Sequence, residues 1–244
     1  MYSIKCRKPA ERRDRMKILY FDCTCGISGD MALRALMEVS GAGDRIKEKM
    51  KSAVPAGDEK SGSRRGGSHE HGHGHGRSYT EVKRIIEESG SGEAAVRYAK
   101  AIYAVIAEAE AAVHGETPDT VHFHEVGRDE AVKNAIGMGM AMEEISPDKV
   151  YVSDIYDGRG TVICSHGEIP VPVPAVMAMR ENSDLIFREA DVDTEMVTPS
   201  GLAALMGLGA VHGEMPEGKI IGKATARGSR DTGMDGLKVY LVEI

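Results

Sequence analysis

The first strongly patterned segment of the chain is an apolar run followed by a glycine turn. Lys17–Asp22, with the sequence KILYFD, has the short apolar character of a buried strand. The turn that follows contains Gly26 and Gly29, and apolar residues recur at helical spacing from about Asp30 to Val39. A strand, a glycine turn and a helix in this order predict the opening of an α/β unit.

Three further helices are predicted from periodicity and from signals at their ends. Ser78 and Glu81 have the spacing of a capping box and stand before apolar residues at helical spacing. An alanine-rich segment between Gly92 and His114 repeats apolar residues at three- and four-residue steps. The third helix covers Glu130–Ile145, where two glycines between methionines indicate close packing against a neighbour.

The C-terminal part of the chain alternates between short strands and short helices. Strands are predicted at Val150–Ile155, Thr161–Ser165, Ile220–Ala226 and Leu237–Ile244, and helices at Pro174–Arg180 and Leu202–Leu208, the second of them capped by Thr198. The whole pattern predicts an α/β (or α+β) fold, with a small mixed sheet, packed helices and a disordered His-rich loop.

The composition is typical of a globular protein. Hydrophobic residues make up 41% and charged residues 28% of the 244 residues, and the net charge of -7 disfavours nucleic acid as the main partner. No apolar segment is long enough for a signal or a membrane span, and four scattered cysteines are too few for a disulfide framework. We therefore expect a cytoplasmic protein with no membrane partner. Residues 1–15 carry six basic and two acidic side chains, which predicts a basic N-terminal arm before a domain at 16–244.

Residues 55–77 contain seven glycines and four histidines but no Val, Ile, Leu, Met or Phe, which predicts a mobile loop. The histidines are His69, His71, His73 and His75, spaced two apart. Neutral imidazole binds nickel, copper and zinc, so the loop is predicted to capture metal. Its affinity should be modest, because ordering costs roughly 1–2 kcal/mol per fixed residue. The alternative is a solvated loop that binds metals only incidentally.

A second candidate metal site lies in the segment VHFHEVG. In an extended chain His122 and His124 point to one face, and Phe123 and Glu125 point to the other. The two histidines are candidate metal ligands, with Glu125 as a third ligand or an outer partner. His124 and Glu125 are also candidate catalytic residues. Two histidines on a half-buried strand are, however, about as often structural groups as ligands.

The glycine turn after the first predicted strand is a candidate binding site. Asp22 lies at the strand's C-terminal end, where α/β proteins place carboxylates for metals or phosphates, and Asp30 begins the helix, so both are candidate catalytic residues. Backbone N–H groups of such a turn favour anions, which predicts that Gly26, Ser28 and Gly29 bind the cofactor. The alternative is an ordinary capped turn.

Two further features could contribute to a metal site. Cys23 and Cys25 flank the start of the glycine turn and could offer thiolates to a soft ion, or be inert. His166 begins the segment HGEIPVPVP, which predicts a rigid extended loop with a histidine available as a metal ligand. The alternative for this loop is a plain connection stiffened by proline.

Five segments in order resemble the LarC family of nickel insertion proteins. They are YFDCTCGISGDMALRAL, HGHGRSYTEVKRIIEES, AEAEAAVHG with VHFHEVG, HGEIPVPVPAV and EMVTPSGLAAL. Their order and spacing agree with the N-terminal half of that family from about Met16 to Gly209. Five ordered matches are far more specific than any single motif.

The resemblance implies a chelatase-type enzyme of the lyase class. Such an enzyme inserts Ni(II) between the two thiocarboxylate sulfurs of pyridinium-3,5-bisthiocarboxylic acid mononucleotide and forms a carbon–nickel bond. It uses CTP, with Mn or Mg serving the nucleotide. The product is the nickel-pincer cofactor of lactate racemase, so proteins of the lactate racemase pathway are expected partners. Family members assemble, and we expect a homo-oligomer.

The chain departs from the family pattern in two respects. Full-length members continue with a nucleotide-binding domain. We expect this chain to lack that domain, so a separate second-half polypeptide is an expected partner. In the block after VHFHEVG, Glu130 and Asn134 stand where the family usually has aspartates. The loss of a carboxylate at Asn134 is expected to weaken a metal site there.

Three functions remain open at the level of sequence. The first is the nickel insertion enzyme, and the second is a non-enzymatic nickel store or metallochaperone that depends on the His-rich loop. The third is a metal-dependent phosphohydrolase-like domain that uses Asp22, Asp30 and His124. For the first function, we expect Asp22 at the strand end, the glycine turn Gly26–Asp30 and the segment of His122, His124 and Glu125 to converge on one cleft, with His166 nearby.

Overall fold

The computed structural model describes residues 15–54, 76–164 and 167–244. Within these ranges the elements are β1 (Lys17–Asp22), α1 (Gly29–Ser40), α2 (Gly43–Ala53), β2 (Arg77–Ser78), α3 (Tyr79–Glu87), α4 (Glu93–His114), β3 (His122–Phe123), α5 (Asp129–Ile145), β4 (Lys149–Val152), β5 (Ile155–Asp157), β6 (Thr161–Cys164), β7 (Gly167–Pro170), α6 (Pro174–Glu181), β8 (Phe187–Glu189), α7 (Pro199–Gly207), β9 (Val211–His212), β10 (Lys219–Ala226) and β11 (Leu237–Glu243).

The main sheet has five strands in the order β10-β11-β1-β4-β9. β1 pairs antiparallel with β11 on one side and parallel with β4 on the other. Leu19 and Phe21 of β1 are fully buried, as the apolar run predicted for a strand covered on its faces. The sheet is therefore mixed, and together with the helices it confirms the predicted α/β fold class.

The helices pack closely through glycines of α5. A Cβ atom at Gly139 would lie 2.2 Å from the backbone O of Ala95 in α4, and one at Gly137 would lie 2.5 Å from Sδ of Met50 in α2. A larger residue at Gly139 would displace the backbone of α4, whereas one at Gly137 would first meet the flexible side chains of Met50 and Leu33. The close packing predicted from these glycines is confirmed.

Two predicted helix starts are also confirmed. Ser78 Oγ accepts a hydrogen bond from Glu81 N at 3.2 Å, and the Glu81 carboxylate accepts one from Ser78 N at 2.7 Å, which completes the capping box of α3. Thr198 Oγ1 accepts from Gly201 N at 3.2 Å and caps α7. Both ends form where short-range side-chain chemistry satisfies the first N–H groups of the helix.

Some elements differ from the sequence-based expectation. Helix α2 was not predicted, because Ile46 and Ala53 are its only buried residues. The predicted strand Val150–Ile155 divides into β4 and β5, since Ile155 N donates to Ile186 O and β5 pairs with β8 outside the main sheet. In the part of the chain that the structure describes, no helix is long and apolar enough to cross a membrane.

Two predicted segments fall almost entirely outside the described ranges. They are the basic arm at residues 1–15, of which only Arg15 is described, and the His-rich loop at 55–77, of which only Gly76 and Arg77 are described. Arg77, the last residue of the predicted loop, is the first residue of β2.

Candidate functional site

The glycine turn before α1 lies directly against the turn before α7. Ile27 N donates a hydrogen bond to Met196 O at 2.9 Å, and Thr198 N donates to Ile27 O at 3.0 Å. Ser28 and Thr198 are the N-cap residues of the two helices. The pairing therefore sets the N-termini of α1 and α7 side by side.

Two glycines make this close approach possible. Gly26 has a φ of +75°, and a Cβ atom there would lie 2.3 Å from Met196 O. A Cβ atom at Gly201 would lie 2.4 Å from Ile27 O. Gly26, predicted to bind the cofactor, therefore has a packing role in the structure, because no side chain is tolerated at that distance.

Three adjacent cavities surround the paired turns. Cavity A, of about 400 Å³, is lined by Cys25, Ser28, Met31, Glu195, Met196 and the segment 227–236. Cavity B, of about 290 Å³, includes Ser28, Gly29, Asp30, Glu125, Arg128, Glu130 and Asn134. Cavity C, of about 330 Å³, includes Glu110, His124, Glu125, Glu195 and Ser200. Thr198 and Arg230 line all three cavities, so the cavities meet at these two residues.

Several predicted site residues come together in these cavities. Ser28, Gly29, Asp30 and Glu125 all line cavity B, and His124 joins Glu125 in cavity C. The glycine turn and the VHFHEVG segment thus meet, although they are far apart in the sequence. The two positions that depart from the family pattern, Glu130 and Asn134, line cavity B as well.

Other predicted residues lie elsewhere or outside the described ranges. Asp22 lines none of the three cavities, and its Oδ1 accepts hydrogen bonds from Thr24 N at 3.2 Å and Thr24 Oγ1 at 2.7 Å. His122 is exposed, pairs with Ser78 in the β2–β3 ladder and also lines none of them. His69, His71, His73, His75 and His166 lie outside the described residues.

The segment from His122 to Glu125 is extended only in its first half. β3 ends at Phe123, which is fully buried and packs against the rings of Tyr79 and Tyr103 at centroid distances of 6.2 and 5.9 Å. Arg128 N then donates to Glu125 O at 3.2 Å and closes a turn. Because the chain turns there, Glu125 does not point to the same buried face as Phe123, as an extended chain would require. Its side chain is exposed and lines cavities B and C.

The cavities contain imidazole, carboxylate and thiol groups, but the described residues do not hold a ready metal site. In residues 15–54, 76–164 and 167–244, no group of three or more His, Cys, Asp and Glu side chains is placed to hold an ion. The ring of His124 lies 6.4 Å from that of His114, measured between centroids. The metal-binding roles of His122 and His124 stay predictions.

Sequence reasoning did not single out the buried ion pair at the junction of cavities A and C. Glu195 is only 7% exposed, and its Oε2 lies 2.7 Å from Nη1 of Arg230. Burial raises the pKa of Glu195, the Arg230 guanidinium opposes that shift, and the charges of Asp157 and Glu125 add to it. The available signal was position: Glu195 is the first residue of EMVTPSG, one of the five family-like segments.

Asp157 stabilises the turn that contains Glu195 and Met196. It is 1% exposed, and its Oδ1 accepts backbone hydrogen bonds from Gly158 N at 2.8 Å, Met196 N at 3.1 Å and Val197 N at 3.0 Å. Its Oδ2 has no hydrogen-bond partner among the described residues. Burial raises the pKa of Asp157, and the three backbone donors oppose the shift.

The two cysteines of the glycine turn have different environments. Cys23 is fully buried, and burial, followed by the charges of Asp22 and Cys25, raises the pKa of its thiol well above the usual value. Cys23 therefore remains a neutral thiol at physiological pH. Cys25 is partly exposed and lines cavity A, so of these two it is the thiol that a ligand in the cavity can reach.

Comparison with known proteins identifies a family that matches most of the chain. The family model described as "Nickel insertion protein" matches residues 19–243. The chain is 34% identical over 239 residues to the "pyridinium-3,5-bisthiocarboxylic acid mononucleotide nickel insertion protein" of Acetivibrio thermocellus, which covers 89% of the chain and 58% of that relative. It is 33% identical over 260 residues to the protein of the same name in Lactiplantibacillus plantarum, which covers 93% and 62%.

A third relative is also considerably longer than the part that this chain matches. The chain is 33% identical over 212 residues to the protein of that name in Alkaliphilus metalliredigens, covering 76% of the chain and 50% of the relative. The chain thus spans about half to three fifths of the length of these relatives. No solved structure matches the chain.

Proposed function

The chain belongs to the family of nickel insertion proteins, and from this we propose that it inserts Ni(II) into pyridinium-3,5-bisthiocarboxylic acid mononucleotide. The observation that carries the proposal is the family match over residues 19–243, together with relatives named for that reaction. The product is the nickel-pincer cofactor of lactate racemase. The chain then acts as a chelatase in the maturation of that enzyme, in the cytoplasm.

The junction of the three cavities suits an anionic nucleotide. The N-termini of α1 and α7 carry partial positive charge, and the substrate carries a phosphate and two thiocarboxylates. Arg230, which lines all three cavities, adds a full positive charge. We assign the substrate's anionic groups to this junction, with Ser28 and Thr198 beside them.

Cavity C offers an imidazole and a carboxylate to a transferred nickel ion. His124 and Glu125 line it together, and imidazole and carboxylate bind Ni(II) less strongly than a chelating pair of sulfurs does. Such ligands can hold the ion briefly and release it to the thiocarboxylates of the substrate. His166 and the four histidines of the His-rich loop are proposed to supply the ion to this site.

The proposed reaction also requires CTP. We assign CTP and its Mn or Mg ion to the part of the relatives that this chain does not cover. A homo-oligomer of this chain is proposed as the assembled form. No residue of this chain is proposed to bind CTP.

A reconstituted loading assay tests the proposal. The loading mixture contains the full chain, Ni(II), the mononucleotide, CTP with Mg, and the part of the Lactiplantibacillus plantarum relative that this chain does not cover. The full-length relative is the positive control. Mass spectrometry should detect the nickel adduct of the mononucleotide, and that product should activate lactate racemase apoprotein. Absence of the adduct in every combination, while the control forms it, would contradict the proposal.

The His-rich loop favours a second candidate, a non-enzymatic nickel store. Four histidines spaced two apart can wrap an ion without a folded scaffold, with roughly micromolar affinity. Replacement of His69, His71, His73 and His75 by Ala separates the two functions. If the variant still loads the mononucleotide but needs a higher nickel concentration, the result supports the enzyme. If the variant loses all nickel binding and the parent shows no loading activity, the result supports the store.

A further inference from the structure

Glu195 is a buried carboxylate that nevertheless reaches two cavities of the proposed site. It is one of two charged or polar residues that are buried among those the structure describes, the other being Asp157. Asp157 lines none of the three cavities, whereas Glu195 lines both cavity A and cavity C. A ligand at the junction of these cavities can therefore contact the carboxylate of Glu195 while bulk water has little access to it.

The groups around Glu195 favour protonation of its carboxylate when Arg230 moves away. Arg230 is the cation that opposes the rise in its pKa, and burial, Asp157 and Glu125 all favour the neutral acid. The other titratable or charged residues that share its cavities are Glu110 and His124 in cavity C, and Cys25, Arg227, Asp231 and Asp235 in cavity A. Arg230 is 43% exposed on its side chain and lines all three cavities, so an anionic substrate can compete for it.

Nickel insertion into this substrate releases a proton. The thiocarboxylates at ring positions 3 and 5 flank ring carbon 4, which carries a hydrogen, and an ion held by both sulfurs lies against that carbon. When the carbon–nickel bond forms, the C4–H bond breaks and its electron pair becomes the new bond. Nickel remains Ni(II), nothing is oxidised or reduced, and the proton requires an acceptor.

We propose that the carboxylate of Glu195 is the catalytic base that accepts this proton, an inference that rests on the proposed function. Arg230 keeps Glu195 ionised before the substrate arrives, since an unpaired carboxylate at this depth would hold its own proton. When Arg230 pairs with an anionic group of the substrate, the affinity of Glu195 for a proton rises. Substrate binding thereby makes the base stronger at the moment that it is needed.

The test compares Glu195→Gln and Glu195→Asp with the parent chain in the loading mixture defined above. Glu217→Gln is the matched control, because Glu217 is an exposed glutamate that lines none of the cavities. Loss of a positioned base costs roughly 100- to 10,000-fold in rate, so we expect the rate constant of Glu195→Gln to fall at least 100-fold. The KM values for nickel and the mononucleotide should change little, and Glu195→Asp should recover part of the rate.

Two further measurements separate a base from a structural residue. The parent rate should fall as Glu195 is protonated at acidic pH, and the residual rate of Glu195→Gln should lack that acid limb. Deuterium at ring carbon 4 should slow the bond-forming step of the parent. Equal rates of the parent and Glu195→Gln, or an acid limb in the variant that is unchanged from that of the parent, would overturn the inference while leaving nickel insertion intact. Failure of the parent itself to form the adduct would overturn the proposed function and this inference together. If Glu195→Gln does not fold, Glu195→Asp decides: an unchanged rate and an unchanged acid limb would also overturn it.

Discussion

Arg230 and Glu195 form a 2.7 Å ion pair between two loops that lie apart in the sequence. Glu195 is buried in the turn before α7, and Arg230 belongs to the segment between β10 and β11. The pair holds that segment against the turn and closes one side of cavity A. The charge state of one residue therefore affects both the binding surface and the stability of the turn.

Glu195→Gln is expected to weaken the pH dependence of folding. The folded-state pKa of Glu195 is raised above its ordinary value of 4.5, mainly by burial, so the folded state binds the proton more tightly than the unfolded state. The stabilising contribution is fully present below that ordinary value and is lost as the pH rises through the folded-state pKa. Urea denaturation across this pH range should show that the free energy of unfolding falls more steeply with rising pH in the parent than in Glu195→Gln. Equal slopes would contradict the prediction.

Gly26→Ala is expected to disrupt the pairing of the two turns. The substitution combines a positive φ with a Cβ atom 2.3 Å from Met196 O, and should lower the free energy of unfolding by more than about 2 kcal/mol. Gly41→Ala is the control, because Gly41 also has a positive φ but no atom within 4 Å of the added carbon. It should cost only about 1–2 kcal/mol. A similar loss in both variants, measured by denaturation, would mean that the close contact is relieved at little cost.

Asp157 should tolerate an amide but not a methyl group. Asp157→Asn keeps an oxygen to accept from the backbone N–H groups of Gly158, Met196 and Val197, whereas Asp157→Ala leaves all three without it. We expect the Ala variant to lose about 2 kcal/mol or more of the free energy of unfolding, and the Asn variant clearly less. Thermal and chemical denaturation of both variants give the comparison, and a more stable Ala variant would contradict it.

His124→Ala should reduce nickel loading more than His122→Ala does. His124 lines cavity C beside Glu125, whereas His122 lies on β3 outside the three cavities. The two substitutions are chemically identical and two residues apart, so each controls for the other. Rates are measured in the loading assay, with circular dichroism as a check on the fold. Equal and complete loss in both would instead support the original hypothesis of a two-histidine ligand pair, and normal loading by both would move the metal site elsewhere.

The elements that the sequence predicted well are those with local causes. The capping box at Ser78 and the alanine-rich α4 need only neighbouring residues to form, and both were found. Helix α2 lacked the apolar stripe that makes a helix recognisable, because little of it is buried. The Glu195–Arg230 pair has no local signal, since it forms only when two loops meet in the folded chain. Likewise, the grouping of Ser28 with Glu125 in cavity B depends on packing rather than on sequence spacing.

The order of strands in the main sheet also constrains when the protein can fold. β11 lies between β10 and β1, so the first strand that the structure describes pairs on that side with the last strand that it describes. While the ribosome is still making the intervening elements, the edge of β1 that pairs with β11 has unpaired backbone N–H and C=O groups in the nascent chain. Such a contact between distant parts of the sequence closes slowly. Completion of the sheet, and with it the placement of the glycine turn at the end of β1, must wait until translation has passed β11.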